Sequence, residues 1–159
     1  MAHLQGRARR DSLHGRRSNP LRRPLAHPGT RVVYCSESRA LAALEQLVHL
    51  HRNRLPPHFV CFWVEIPDDL AIRQVRIEDL PPEWRRQPGP PELRDIGTHW
   101  VETGETIVLE VPSTAVPGEH NFLLNPRHPD FGRLTIGDPE PLAFDERLVR
   151  RTRIVTKKT

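Results

Sequence analysis

No stretch of about 18 consecutive apolar residues occurs in the 159-residue chain, which excludes a membrane-spanning helix. The N-terminus is basic and lacks an apolar core, so no Sec-type signal peptide is expected. Cysteine is scarce. Cys35 and Cys61 are too few for a secreted disulfide scaffold and fit two buried free thiols in a reducing cytoplasm, the expected location. There is no Cys-x-x-Cys pair and no Cys/His cluster at zinc spacing, so no metal ligands are expected. His-Glu-x-x-His, Walker and Gly-x-Ser-x-Gly motifs are absent as well, which leaves the common metalloprotease, nucleotide-loop and serine-hydrolase chemistries without their residues. Apolar residues make up only 36%, whereas proline is abundant at 17 residues. The length fits one domain able to bury roughly two-thirds of its surface. Many prolines in an apolar-poor chain imply turns and short elements rather than a helical bundle.

The net charge of +4 is unevenly distributed. Residues 1–31 carry eight Arg against one Asp, a balance of +7. Residues 32–149 carry 11 Arg against 19 acidic residues, or −8. The last ten residues carry Arg150, Arg151, Arg153, Lys157 and Lys158, or +5. A nucleic-acid-binding fold should be basic within the fold itself, and here the central region repels phosphate. The distribution therefore argues against direct nucleic-acid binding. The two basic ends lack apolar periodicity and read as solvated tails.

Pro20, Pro24 and Pro28 interrupt the first 30 residues, and no apolar face recurs there. Residues 1–30 are expected to be a basic, disordered segment that adds no element to a sheet. A folded domain is expected over 31–149, and a basic tail over 150–159. Arg31 to Cys35 reads as a short strand, and Ser36 or Ser38 as the cap of a helix over 38–52. On that helix Leu41, Leu44, Val48 and His51 form one apolar stripe. His58 to Ile66 is a near-continuous apolar run, as in a strand buried on both faces. Pro67-Asp68-Asp69 is a turn, and Ile72 to Ile77 an edge strand without a clean inside face. A proline-rich excursion surrounds Trp84. Glu92 to Thr103 is the second helix, with Leu93, Ile96, Trp100 and Val101 inward and Gly104 as its stop. Thr106–Val111, 119–125, Gly132–Ile136 and Leu142–Phe144 supply further short strands. About six strands and two main helices in this order make an α+β fold rather than an alternating βαβ one.

Three polar features stand out from this framework. Glu45 lies at the border of the helical apolar stripe, where a carboxylate is either a tuned, partly desolvated acid or a boundary residue reaching for water. The segment Pro112 to Asn121 directly follows an apolar strand, the place where loops carry ligand-binding side chains as well as plain Pro/Gly turns. Asn121 to Phe131 surrounds two leucines with Asn121, Asn125 and His128. Buried Asn side chains commonly pin a loop through its backbone. His128, between two prolines, is either a turn residue or a site base, and spacing does not decide. His49 stands four residues after Glu45 on one helical face.

Taken together, Val32-Val33-Tyr34-Cys35-Ser36-Glu37-Ser38, Ala40 to Glu45, Val111-Pro112-Ser113, Val116-Pro117-Gly118-Glu119 and Asn121 through Phe131 resemble the RES-domain family. These are toxin components of bacterial toxin–antitoxin pairs. The resemblance runs from about Thr30 to Leu148. It implies an ADP-ribosyltransferase-like mixed sheet with a cleft for NAD, held as substrate with no permanently bound cofactor. It also implies cleavage of the nicotinamide–ribose bond by phosphorolysis, hydrolysis or ADP-ribosyl transfer, and a helix-turn-helix, Xre-like antitoxin as partner. The family's Glu falls on Glu45 and its Ser on Ser113, the implied catalytic pair. Tyr34, Asn121, His128 and, more weakly, Arg31 are the implied NAD-binding residues.

The sequence departs from the family ahead of Tyr34. The family carries Gly-x-Gly-Ala-x-x-Tyr-Gly-Gly-Arg-Trp there, a source of arginines for the site, and Leu13 to Pro28 contains no such motif. The genetic code, however, permits codons for Pro20 to Ala26 that, read one base later, encode Arg-Tyr-Gly-Gly-Arg-Trp. Codons for Arg16 to Asn19 permit Gly-Gly-Ala-Thr in the same second frame. Residues up to about Ala26 thus read as a frame-shifted version of the family N-terminus. Activity is then expected to be impaired, the alternatives being an inactive remnant that only binds an antitoxin, or a basic-tailed nucleic-acid-binding protein.

Overall fold

The computed structural model describes residues 8–15, 25–49, 59–145 and 148. In chain order the elements are β1 (Ala8–Gly15), β2 (Val33–Ser36), α1 (Arg39–His49), β3 (Phe59–Ile66), β4 (Ile72–Gln74), α2 (Glu92–Thr103), β5 (Val108–Pro112), β6 (His120–Leu124), β7 (Thr135–Ile136) and β8 (Glu140–Leu142). Short 3₁₀ turns occupy Ile77–Asp79 and Pro129–Arg133. All strands join one mixed sheet in the order β4-β5-β6-β2-β1-β3-β7, and β8 also pairs with β3. Only the β4–β5 pair is parallel, and α2 lies in the crossover between them, as parallel pairing requires. This is the α+β architecture expected from the element order.

The register explains how the two faces are covered. Val33 pairs with Leu124 and Cys35 with Phe122. These side chains join Val64, Ile66, Ile107, Val108 and Leu134 in one buried cluster, against which Leu70, Ile72 and Phe131 pack. The other parity places Tyr34 opposite Leu123, and Ser36 opposite Asn121. On that face Leu109, Val111, Leu123 and Trp100 form a second cluster with Ala26 and Val32. Trp100 brings α2 onto this face, where its indole N–H donates to Thr106 Oγ1 at 2.9 Å. Helix α1 packs against β1 and β2, with Ala42 meeting Cys61 of β3.

The helix boundaries follow their caps. Ser38 Oγ accepts the Leu41 N–H at 3.1 Å and so opens α1. Gly104 closes α2 at φ 61°, its N–H donating to the Trp100 carbonyl, so the second helix spans the range its sequence indicates. The apolar stripe expected on α1 is corrected by the structure. Leu41 is fully buried, but Leu44 is 43% and Val48 63% exposed. The small Ala42 faces the sheet instead, and this turns the helix so that Glu45, one turn after Leu41, comes round toward the sheet. His51 lies outside the described residues.

The N-terminal expectation is also corrected. Ala8–Gly15 is a strand inside the sheet, paired with β3 along eight positions and with β2 at Asp11↔Ser36. Its sequence carries no apolar pattern to signal it, whereas its backbone pairs on both sides: without it, β2 and β3 would each present an open edge. Residues 25–30 have no regular element yet are anchored. Ala26 is buried, the His27 N–H donates to Thr98 Oγ1 at 2.9 Å, and His27 Nε2 lies 2.7 Å from Asp95 Oδ1. Three further ranges are adjusted. The edge strand β4 stops at Gln74, the strand expected over Gly132–Ile136 is confined to Thr135–Ile136 after a 3₁₀ turn that ends at Arg133, and the last strand is Glu140–Leu142 rather than Leu142–Phe144. The described strands number eight rather than about six. The tail 150–159 lies outside the described residues.

Candidate active site

The site is built where three elements end. Strand β2 finishes at Ser36, β6 begins beside it with His120 and Asn121, and β5 runs out at Pro112, directly before Ser113. Helix α1 passes over this corner and lowers Glu45 onto it. Ser113 Oγ donates to Glu45 Oε1 at 2.8 Å, and Asn121 Nδ2 donates to the same oxygen at 2.6 Å. The residues come from positions 68 and 76 apart in the chain, so tertiary packing alone assembles them.

Each donor is itself held. Ser113 is wholly buried, and its Oγ accepts the N–H groups of Ala115 and Val116, both at 3.1 Å. A hydroxyl with its lone pairs so occupied has only its proton to offer, and that proton points at Glu45. The loop beyond is closed by the Ser113 N–H on the Glu119 carbonyl at 2.8 Å and the Glu119 N–H on the Val116 carbonyl at 3.3 Å. Asn121 is fixed at its other end, where Ser36 Oγ donates to Asn121 Oδ1 at 2.6 Å. Among the described residues, Ser113 and Asn121 both donate to Oε1 of the carboxylate. The arrangement holds a half-buried carboxylate in one orientation with its acceptor character reinforced, which suits stabilising a developing positive charge or gripping hydroxyl groups.

Of the remaining sequence candidates, Tyr34 shares a face with this corner, and the other described ones lie away from it. Tyr34 shares the sheet face of Ser36 and Asn121 and is packed at the edge of the α2-side cluster. Arg31 is exposed just ahead of β2, at the end of that strand remote from Ser36. His128 lies beyond the far end of β6 and caps the 129–133 turn, its Nδ1 accepting the Asp130 N–H at 3.1 Å. The fold does not bring it to Glu45. Asn125 is buried and acts on backbone, donating to the Val101 carbonyl at 3.4 Å and accepting the Arg127 N–H at 3.0 Å. The His49 side chain lies outside the described residues.

Sequence reasoning missed Ser36 as part of the site, reading it only as a helix cap. Its link to Asn121 follows from strand register, which no local spacing reveals. Glu37 and His120 were passed over too. Glu37 Oε2 accepts the His120 N–H at 3.1 Å, and the His120 ring lies 3.5 Å from Glu37 and 3.9 Å from Glu110. By strand parity these three side chains occupy the opposite face, behind the Glu45 corner.

A sequence profile described as the RES domain matches residues 2–145. The chain belongs to the RES domain family. Toxin Res of Yersinia enterocolitica is 42% identical to it over 123 residues, covering 77% of this chain and 80% of the relative. The Prs ADP-ribosylating toxin of a Sphingobium species is 36% identical over 125 residues, covering 77% and 78%. Toxin Res of Pseudomonas putida is 36% identical over 104 residues, covering 64% and 68%. The match to the RES domain begins ahead of β1, so the family region extends further toward the N-terminus than Thr30. No helix among the described residues of this RES domain is long and apolar enough to cross a membrane.

Proposed function

We propose that this RES domain is a bacterial toxin that consumes NAD by breaking its nicotinamide–ribose bond. The observation that carries the reading is the convergence of Ser113 and Asn121 on one oxygen of the Glu45 carboxylate. The relatives support it by name, two as Toxin Res and one as an ADP-ribosylating toxin. In the reaction the C1′–N bond breaks and nicotinamide leaves with the electron pair. Positive charge then develops at C1′, and Glu45 stabilises that oxocarbenium-like centre or orients the ribose hydroxyls. Phosphate, water or a protein side chain supplies the pair that forms the new bond to C1′. Tyr34 lines the pocket on the same sheet face. NAD is a substrate here, not a resident cofactor. The location is the cytoplasm, where NAD is present, and the partner is a helix-turn-helix antitoxin that silences the site.

A second reading, an inactive remnant that retains only antitoxin binding, is favoured by one feature of the sequence. The arginine motif expected ahead of β2 is absent in the frame as written. A diphosphate needs cationic or N–H partners, and losing a buried charge-assisted contact costs about 2–5 kcal/mol, or roughly 30- to 5,000-fold. The acidic 32–149 region adds to that loss. The test compares the purified 159-residue chain with a form carrying the second frame over residues 16–26, following nicotinamide release from NAD with and without phosphate. Slow release from the first and fast release from the second, with toxicity on expression, is the expected result. Comparable rates would show the second frame to be irrelevant, and no release from either folded form would overturn the enzymatic reading.

A further inference from the structure

The buried polar chain at the β2–β6 boundary has a direction, and that direction assigns a role to Ser36. An ionised carboxylate only accepts, so the Asn121 amide must present its NH₂ group to Glu45 Oε1. The amide oxygen then faces the other way, toward Ser36, where only a donor satisfies it. Ser36 Oγ stands 2.6 Å from Asn121 Oδ1, is 4% exposed as a residue, and belongs to the cross-strand pair Ser36↔Asn121, whose two side chains emerge from the same face. Without that hydroxyl, Asn121 Oδ1 loses its donor, and the amide is held only by its bond to Glu45, free to tilt away from the carboxylate in search of another partner. Ser113 needs no such help, because Ala115 and Val116 already fix its lone pairs.

We propose that Ser36 is a positioning residue that acts through Asn121 to hold the Glu45 carboxylate in its reactive orientation. It touches neither Glu45 nor the substrate; it anchors the far end of the amide whose NH₂ group touches Glu45. The inference rests on the reading of Glu45 as the group that faces the ribose. A larger apolar side chain at this register would leave Asn121 Oδ1 without its donor.

The test uses the full chain labelled with ¹⁵N and has two arms. In the first, the side-chain NH₂ signals of Asn121 are identified by their loss in Asn121→Asp. In Ser36→Ala these signals are expected to move toward the positions of a free amide, while the backbone amide signals of residues 108–111 stay in place. Ser36→Thr, which keeps the hydroxyl, is expected to hold them near the parent positions. Ser36→Gly removes the same hydroxyl and serves if the alanine methyl group is not tolerated. In the second arm, nicotinamide release from NAD is followed. Ser36→Ala is expected to lower kcat by about tenfold, the worth of one neutral hydrogen bond, with KM unchanged and with rescue by Ser36→Thr. Unmoved Asn121 signals in Ser36→Ala would overturn the proposal, as would a fall in activity that tracks only the loss of folded protein. No nicotinamide release from either the parent chain or the form carrying the second frame over residues 16–26, with the Asn121 signals moving as expected, would overturn the enzymatic reading of Glu45 and leave the positioning by Ser36 standing.

Discussion

Glu45 and Ser113 carry the most separable consequences of this structure. Replacing Glu45 by Gln keeps an oxygen that accepts from Ser113 and Asn121 but removes the negative charge. The fold is therefore expected to survive, with thermal unfolding close to the parent, while nicotinamide release falls about 100-fold or more, the scale on which preorganised electrostatic groups act. A parent-like rate would remove Glu45 from the chemistry. Ser113→Ala differs in kind. It strips the acceptor from the Ala115 and Val116 N–H groups and the donor from Glu45 in one step. Leaving buried donors unsatisfied costs about 1–3 kcal/mol, so urea unfolding should shift measurably even without substrate. The contrast locates what could be read early. The residue types of this pair stood out in the sequence and through the family resemblance. The third member, Ser36, did not, because its meaning depends on which residue of β6 lies opposite.

Helix α1 shows how an element can be legible in extent yet turned differently from its pattern. Its cap and its first turns were evident from Ser38 and the apolar spacing, but its inward face is set by the close contact of Ala42 with Cys61. Leu44→Lys and Val48→Lys are therefore expected to change stability by no more than about 0.5 kcal/mol, as surface substitutions do. Leu41→Ala is expected to cost about 2–5 kcal/mol. Equal losses in denaturant titrations of all three would restore the original stripe. Helix α2 is held by a different device. A Cβ on Gly97 would lie 1.7 Å from the Leu25 carbonyl oxygen, a backbone atom that cannot rotate away. Gly97→Ala should thus push α2 off residues 25–27 and cost about 1–3 kcal/mol, like other overpacked sites. Gly104→Ala meets no neighbour within 4 Å but must keep φ at 61°, so only the smaller strain of the left-handed region, about 1 kcal/mol, is expected there. Thermal melts of the two variants should rank in that order.

At the scale of the whole molecule the deciding strand is the one that composition hid. The apolar strands β3, β5 and β6 were readable because burial on a sheet face leaves a hydrophobic signature. Strand β1, with eight residues that include Arg9, Arg10, Asp11 and His14, leaves none, and the lack of an apolar face in the sequence is silent about the backbone ladder on its two sides. Among the described residues it is the strand that links the group β4-β5-β6-β2 to the group β3-β7 with β8 in the sheet order. The Glu45 corner belongs to the first group through Ser36, Ser113 and Asn121, while Ala42 rests on Cys61 of the second. Removing β1 should therefore separate the sheet and also release the helix that carries Glu45. A chain starting at residue 16 is expected to lose its cooperative thermal transition and to elute from size exclusion as aggregates formed through the exposed edges of β2 and β3. The whole stability of a domain is only about 5–15 kcal/mol, so loss of a shared strand is not a partial defect. A truncated chain that stayed monomeric, with a Tm within about 2–4 °C of the parent, the shift expected from roughly 1 kcal/mol at this size, would show that the two groups of strands are joined by contacts other than β1.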